Sequence, residues 1–301
     1  MKLVILSKGP ANYTTKRLKE EAQKRGHEVR VIDYAKCYLT IEKGNPVVYY
    51  KGEKVISVDA IIPRIGHRYT MYGSAVVRQF ENQGVFTTAN SIAIVRSRDK
   101  LRANQLLAKA GVGIPKTVFA RETADFEEVV ELAGGPPVVI KVARGTHGTG
   151  VVLAETRKAA KAVMQAFFAQ NVNFFVQEFI EESAGTDIRA LVVGGRVVAS
   201  IKRQSLDEDF RSNTHQGGVG KTVKLTDEEK KTAVKAARAM GLPVCGVDMM
   251  RSDKGPVVLE VNSSASARTP ELITGRNVVE KIIEYIEQNA KGRRRKDRVG
   301  A

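Results

Sequence analysis

Asp248, Glu260 and Asn262 are the residues whose types and spacing could do chemistry together; they lie in GVDMMRSDKGPVVLEVN, from Gly246 to Asn262. The stretch reads as a hairpin: an apolar strand carrying Asp248, a polar turn over Ser252 to Gly255 with glycine in the left-handed position, and a second strand from Pro256. Side chains two apart share a strand face, so Glu260 and Asn262 point the same way, with Asp248 near them on the first strand. Two carboxylates and an amide oxygen suit a hard cation such as Mg²⁺, which keeps waters and completes its shell with substrate phosphates. A turn-proximal acid and the polar residue of an alternating strand would fit the same letters. The apolar neighbours Val247, Met249, Leu259 and Val261 tilt the balance, because carboxylates in such a setting are costly unless paired or metal-bound.

Other stretches offer groups for an anionic ligand. PPVVIKVARGTHGTGVVLAE reads as two apolar strands joined by a loop containing Gly145, Gly148 and Gly150. Backbone amides in such a loop approach phosphate oxygens closely and Lys141 adds a point charge, although a plain hairpin turn also uses one or two glycines. The run FFVQEFI can present backbone groups in an apolar slot, as adenine requires, with Gln177 and Glu178 nearby; polarity of an edge strand is the alternative. A Gly-Gly hairpin carries Asp187 and Arg189 at its start and Lys202 and Arg203 at its end, and EDFRSN then supplies Arg211 and Asn213. GGVGKT imitates a phosphate loop but has His215 where the first glycine belongs, and it runs into VKLT instead of opening a helix. In PRIGHR, Arg64 and Arg68 follow a strand's carboxyl end, where open α/β sheets bind ligands; a substrate carboxylate or plain solvent would suit them.

The elements that must position these groups begin with strand-helix-strand alternation over the first 95 or so residues, which predicts an α/β unit with a parallel sheet. KLVILS and HEVRVID are strands, with a helix over Thr14 to Arg25 between them; VVYYKGEKVI is a hairpin, DAIIPRIG a further strand, and Met71 to Gln83 a helix. No G-x-G-x-x-G follows the first strand, so a dinucleotide site there is not expected. Ser91 to Ala110 reads as one helix carrying Lys100 beside Asp99; Thr226 to Met240 is a helix with a capping pattern, and Asn277 to Asn289 closes the fold.

With 301 residues, 43% hydrophobic and 27% charged, the chain is of the ordinary globular class. No signal-peptide pattern follows Met1 and the apolar runs are short, so a cytoplasmic protein without membrane spans is expected. Cys37 and Cys245 lack metal-ligand spacing and read as bystander thiols. The net charge of +16 favours an acidic partner. The tail KGRRRKDRVGA holds six basic residues and one acid, so the body keeps +11 without it. That tail is expected to be disordered. No aromatic-basic interleaving of the kind a single-strand binder uses is present, so nucleic-acid binding is not required.

In chain order, PRIG, RSRDKLR, GTHGTGVVLAET, QEFI, GTDIRALVVG, DFRSN and the D…E-x-N hairpin resemble the ATP-grasp superfamily and, within it, RimK-type α-L-glutamate ligases. The likeness runs to about Ala290. It implies an α/β class fold with α+β lobes: a pre-ATP-grasp domain over 1–95, an ATP-grasp domain over 96–290 with a nucleotide lobe near 115–180 and a metal lobe near 181–290, and the basic tail 291–301. It also implies roles. Lys141 and Lys100 would meet ATP phosphates under the Gly145 to Gly150 loop, Glu178 and Phe179 the adenine and its sugar side, and Asp187 the ribose. Arg211, Ser212 and Asn213 would stand near the γ-phosphate, and Asp248, Glu260 and Asn262 would hold two Mg²⁺ or Mn²⁺ ions. The implied partners are L-glutamate and the acidic carboxyl-terminal peptide of a small-subunit ribosomal protein, or free glutamate polymerised to poly-α-glutamate, with a homotetramer suggested. The loop NSSASARTPEL departs from the small-residue Pro-Gly-Leu run usual after E-V-N, which bears on acceptor choice. Three other readings stand beside this one: an ATP-grasp ligase adding another amino acid to a carrier protein or glutamate to a cofactor, a basic ribosome- or RNA-binding factor without ligase activity, and a catalytically weakened scaffold.

Overall fold

The structure is a computed structural model and describes residues 1–120, 125–143, 150–205 and 219–290. In the amino-terminal part, β1 (Lys2–Leu6), β2 (Glu28–Ile32), β6 (Ala60–Pro63) and β7 (Phe86–Thr87) form a parallel sheet in the order β2-β1-β6-β7. Between β2 and β6, β3 (Cys37–Thr40), β4 (Val47–Tyr50) and β5 (Glu53–Lys54) make a small antiparallel meander. Helices α1 (Tyr13–Lys24) and α2 (Thr70–Asn82) complete the expected α/β unit. β1 is apolar on both faces because both are covered: Leu3 and Ile5 join one core with Leu18 of α1, while Val4 and Leu6 join another with Val76 and Phe80 of α2.

The expected single helix over Ser91 to Ala110 is two, α3 (Ser91–Arg98) and α4 (Lys100–Lys109). Asp99 has extended backbone and its carboxylate accepts a hydrogen bond from the Arg102 amide at 3.0 Å. It therefore ends one helix and caps the next. Apolar periodicity runs through both halves and concealed the break. Lys100 therefore opens a helix instead of lying in the middle of one.

The next lobe is a four-stranded antiparallel sheet, β10-β9-β11-β8, built from β8 (Thr117–Phe119), β9 (Val138–Val142), β10 (Val151–Ala154) and β11 (Phe174–Glu178). Val138, Ile140, Phe174 and Val176 pack with residues of α5 (Phe126–Leu132) and α6 (Arg157–Ala169). By strand alternation Val139, Lys141, Phe175 and Gln177 occupy the opposite face, with Lys141 directly across from Phe175.

The largest sheet runs β14-β13-β12-β15-β16, from β12 (Thr186–Val193), β13 (Arg196–Gln204), β14 (Val219–Thr222), β15 (Val244–Ser252) and β16 (Gly255–Asn262). Ile188, Val192, Val247, Met249 and Val258 share a core with Ala233, Ala236 and Met240 of α7 (Asp227–Met240). The capping box on α7 is present, Thr226 and Glu229 satisfying each other's amides. Helices α8 (Arg268–Thr274) and α9 (Val278–Ala290) return the chain to the amino-terminal sheet, where Ile283 and Ile286 pack in one core with Leu3 and Ile5. Cys37 and Cys245 are free and buried. Among the described residues no helix is long and apolar enough to cross a membrane.

Candidate active site

Asp248 and Glu260 are direct partners across β15 and β16, and Gly246 faces Asn262. The next pair in register is Met249 with Val258, so Leu259 is an extra residue on β16. A bulge here twists the strand and re-aims the side chain beside it, which places Glu260 on the open side while Val257, Val258 and Val261 stay buried. The Asn262 amide reaches Glu260 at 2.8 Å and Asp248 at 3.5 Å. The three sequence-predicted ligands therefore stand together. Strict alternation had not anticipated the bulge.

Asp248 is also bound from behind. Arg189, its partner on β12, donates from Nε to Oδ1 at 2.7 Å and from Nη2 to Oδ2 at 2.5 Å, and Arg203 reaches Oδ2 at 3.0 Å. Arg203 in turn holds both oxygens of Asp187, its partner in the β12–β13 register. Asp187, Arg203 and Asp248 are 5%, 4% and 2% exposed, so two anions and two cations form a closed network within the sheet. The guanidinium charges hold Asp248 well below the usual carboxylate range despite its burial. Asp187, to which the resemblance gives the ribose, accepts one bond on each oxygen from Arg203, which leaves about two of its four lone-pair sites. Sequence could show that Asp187 and Arg189 share a face, but only the register shows that Arg203, and not the exposed Lys202, closes the network.

Glu260 looks the other way, into a cleft where solvent reaches it but protein surrounds it. Burial, then the Asp248 charge, raises its pKa. Lys141 on β9 and Lys100 at the start of α4 face the same cleft, and both feel the Glu260 charge. Lys100 Nζ donates to the Val142 carbonyl at 3.4 Å. Desolvation, and next the Lys100 charge, lowers Lys141 to about 8. Two lysines against one acid leave the cleft short of negative charge, as a phosphate site requires.

Gly150 has φ +74°, and a Cβ there would sit 2.5 Å from Val142, so its glycine is demanded by the base of the hairpin. Gln177 is buried, with its amide donating to Thr117 Oγ1 at 2.8 Å. Glu178 accepts from the Lys116 amide at 3.0 Å, and Phe179 follows the end of β11. Gly145, Gly148, Arg211, Ser212, Asn213 and the basic tail lie outside the described residues. Lys221 and Thr222 of the rejected phosphate-loop imitation lie in β14, paired with β13.

The sequence matches the RimK-like ATP-grasp domain over residues 97–286 and the RimK PreATP-grasp domain over residues 1–94. The chain belongs to the RimK-like ATP-grasp family. It is 53% identical over 298 residues to a probable alpha-L-glutamate ligase of Teredinibacter turnerae, covering 99% of each chain, and 54% identical over 298 residues to one of Hydrogenovibrio crunogenus with the same coverage. Among solved structures, the ATP-grasp ligase PsnB complexed with minimal precursor is similar at TM-score 0.75 and 20% identity, covering 95% of this chain and 98% of that one. The D-alanine–D-alanine ligase of Bacillus anthracis complexed with ATP gives 0.68 at 19% identity, covering 96% and 97%. An ATP-grasp fold preceded by a RimK pre-ATP-grasp domain is thus the architecture. The protein is an enzyme, an ATP-dependent carbon–nitrogen ligase of this family.

Proposed function

We propose that this protein is an ATP-dependent α-L-glutamate ligase that extends a carboxyl-terminal carboxylate, on the tail of a small-subunit ribosomal protein or on free glutamate, by glutamyl units. The observation that carries the reading is the meeting of Lys100, Lys141 and Glu260 in one cleft, backed by Asp248 and Asn262. A carboxylate cannot form an amide in water unaided because oxide is a poor leaving group. Transfer of the γ-phosphoryl group of ATP gives an acylphosphate and ADP; the glutamate amine attacks its carbonyl, and phosphate leaves with the electron pair of the broken C–O bond. Catalysis then consists of positioning and charge stabilisation.

Lys141 and Lys100 supply positive charge to the nucleotide phosphates, with Arg211, Ser212 and Asn213 assigned to the γ-phosphate. The loop carrying Gly145, Gly148 and Gly150 covers them, while the segment from Gln177 to Phe179 takes the adenine. Asp187 takes the ribose while Arg203 holds its carboxylate in place. The donor set fits a hard cation. Arginine N–H groups take three of the roughly four lone-pair sites of Asp248, leaving one; Glu260 is open, and rotation of the Asn262 amide presents its oxygen. Asp248, Glu260 and Asn262 would hold Mg²⁺ or Mn²⁺, one ion or two, which when bound offsets charge on the transferring phosphoryl group. Incubation with ATP, Mg²⁺ and glutamate, with and without the acceptor peptide, followed by intact-mass spectrometry tests the proposal. A ladder of glutamyl additions on the peptide, or of free oligoglutamate, is expected; ATP binding without either product would sink it.

A further inference from the structure

The chemistry above leaves Arg64 and Arg98 without a task. Arg64 leaves the carboxyl end of β6 beside β1, and the strand order β2-β1-β6-β7 changes direction between those two strands. That is where open parallel sheets receive ligands. Arg98 ends α3. Each is fixed by one backbone carbonyl: Arg64 Nη1 donates to Ala265 at 2.7 Å, and Arg98 Nη2 donates to Ile65 at 3.0 Å. Arg98 Nε is a buried donor without an acceptor among the described residues, as is Arg96 Nε on the same helix. Arg17, Arg25, Arg189, Arg203 and Arg251 all have carboxylate partners; Arg64 and Arg98 have none among the described residues. Arg68, the other arginine of PRIGHR, is exposed.

The two guanidinium groups oppose each other electrostatically. Burial, then the Arg98 charge, brings Arg64 down to about 10; burial also lowers Arg98, against the pull of Glu260. Like charges held together in half-buried positions cost free energy, which a carboxylate accepting from both would offset. The pair is tied to the segment that follows the carboxylate hairpin: Arg64 is bonded to Ala265, three residues beyond Asn262, Arg98 is bonded to the residue next to Arg64, and the Glu260 charge pulls on Arg98. The loop around Ala265 is tied to the amino-terminal domain, with Ser97 meeting Ser263 at 3.1 Å and the Ala267 amide donating to Thr14 Oγ1 at 3.0 Å.

We infer that Arg64 and Arg98 together receive the non-reacting side-chain carboxylate of a glutamyl substrate, either the acceptor's terminal residue or the incoming amino acid. The inference rests on the ligase reading and adds the pair that selects the substrate. The planar forks suit bidentate capture, and glutamine would leave both partly unpaired.

The test compares kcat/KM for glutamate against glutamine as incoming amino acid and, separately, for acceptor peptides ending in glutamate or glutamine, in wild type, Arg98→Gln, Arg98→Lys and Arg64→Lys. Wild type should prefer glutamate in one arm by about 100-fold, and Arg98→Gln should collapse that preference toward unity with the lysine variants between. The arm that collapses identifies which glutamyl group is held. A discrimination ratio is insensitive to loss of folded enzyme, so partial misfolding does not imitate the result. Ratios unchanged in both arms, even with kcat reduced, would make the arginines a latch for the Ala265 loop and overturn the inference. No product with wild type under any substrate would overturn the ligase reading itself, and this inference with it; unchanged ratios in an active enzyme overturn the inference alone.

Discussion

Two charged groups of residues meet back to back at the large sheet, and they are built on opposite rules. Asp187, Arg189, Arg203 and Asp248 balance two charges against two, with every carboxylate oxygen accepting from a guanidinium N–H group. Lys100, Lys141, Arg64, Arg98 and Glu260 set four cations against one anion around an open cleft. A balanced buried network holds strands in register and has little left to give a ligand. An unbalanced cluster costs the fold something by itself, so the charge it lacks describes its ligand. Asp248 belongs to both groups, and its pairing with Arg189 and Arg203 keeps it ionised next to Glu260.

The largest effect should come from the open side. Glu260→Ala should reduce ATP-dependent phosphate release by about 10³-fold, because phosphoryl transfer relies almost wholly on charge placement. Its melting temperature should stay near wild type, since relief from burial and from the Asp248 charge offsets the attraction to the neighbouring cations that is lost. Near-normal phosphate release would erase the distinction between the two groups.

The balanced side should answer in stability. Asp187→Ala leaves Arg203 with only its contact to Asp248 and should cost about 3–5 kcal/mol in urea unfolding of the free protein. The double variant Asp187→Leu/Arg203→Leu removes one charge of each sign and should be less destabilised than the single one. A double variant worse than the single would show that the arginine matters for more than neutralising its neighbours.

These two groups were unequally legible. Asp248, Glu260 and Asn262 could be placed together because one hairpin holds them and its turn is written in polar residues and a glycine. The network behind them could not, since Asp187 and Arg203 meet through a register that no local pattern sets. The bulge at Leu259 was hidden for the same reason: Val257 and Val258 are both apolar, and alternation alone puts them on opposite faces. Arg98 went unnoticed because a helix arginine ordinarily reaches solvent. Its proximity to Arg64, which follows a distant strand, arises only when α3 packs beside the first sheet. The parallel sheet itself was plain from strand-helix alternation, whereas the break at Asp99 was masked by continuous apolar spacing.

Lys141 permits a milder test on the cleft side. With its ammonium lowered to about 8, the free protein loses this charge between pH 7 and pH 9. Bound ATP favours the protonated form, so the complex has the higher pKa; affinity is full below about 8 and weakens as pH rises through it. Titration calorimetry should find about a tenfold weaker Kd for ATP at pH 9 than at pH 7, and Lys141→Arg should flatten the profile. A wild-type profile that is already flat would remove Lys141 from the phosphates.

The smallest effect belongs to a third cluster that resembles the balanced network but lies at the surface. Glu287 on α9 accepts from Arg25 Nη2 at 2.6 Å and meets His27 Nε2 at 2.8 Å, joining the last helix to the first α/β unit. Arg25 first, opposed by burial and helped by His27, holds its carboxyl down at about 2. A depressed carboxylate stabilises the fold above its unfolded value near 4.5, and that contribution is lost as pH falls through about 2. Water and salt screen the cluster, so Glu287→Gln should cost only about 1 kcal/mol at pH 7 and less at high ionic strength. Urea midpoints at pH 7 and pH 3 should differ less for the variant than for wild type. A loss as large as that of Asp187→Ala would mean that exposure to solvent is not what separates a modest ion pair from a network the sheet depends on.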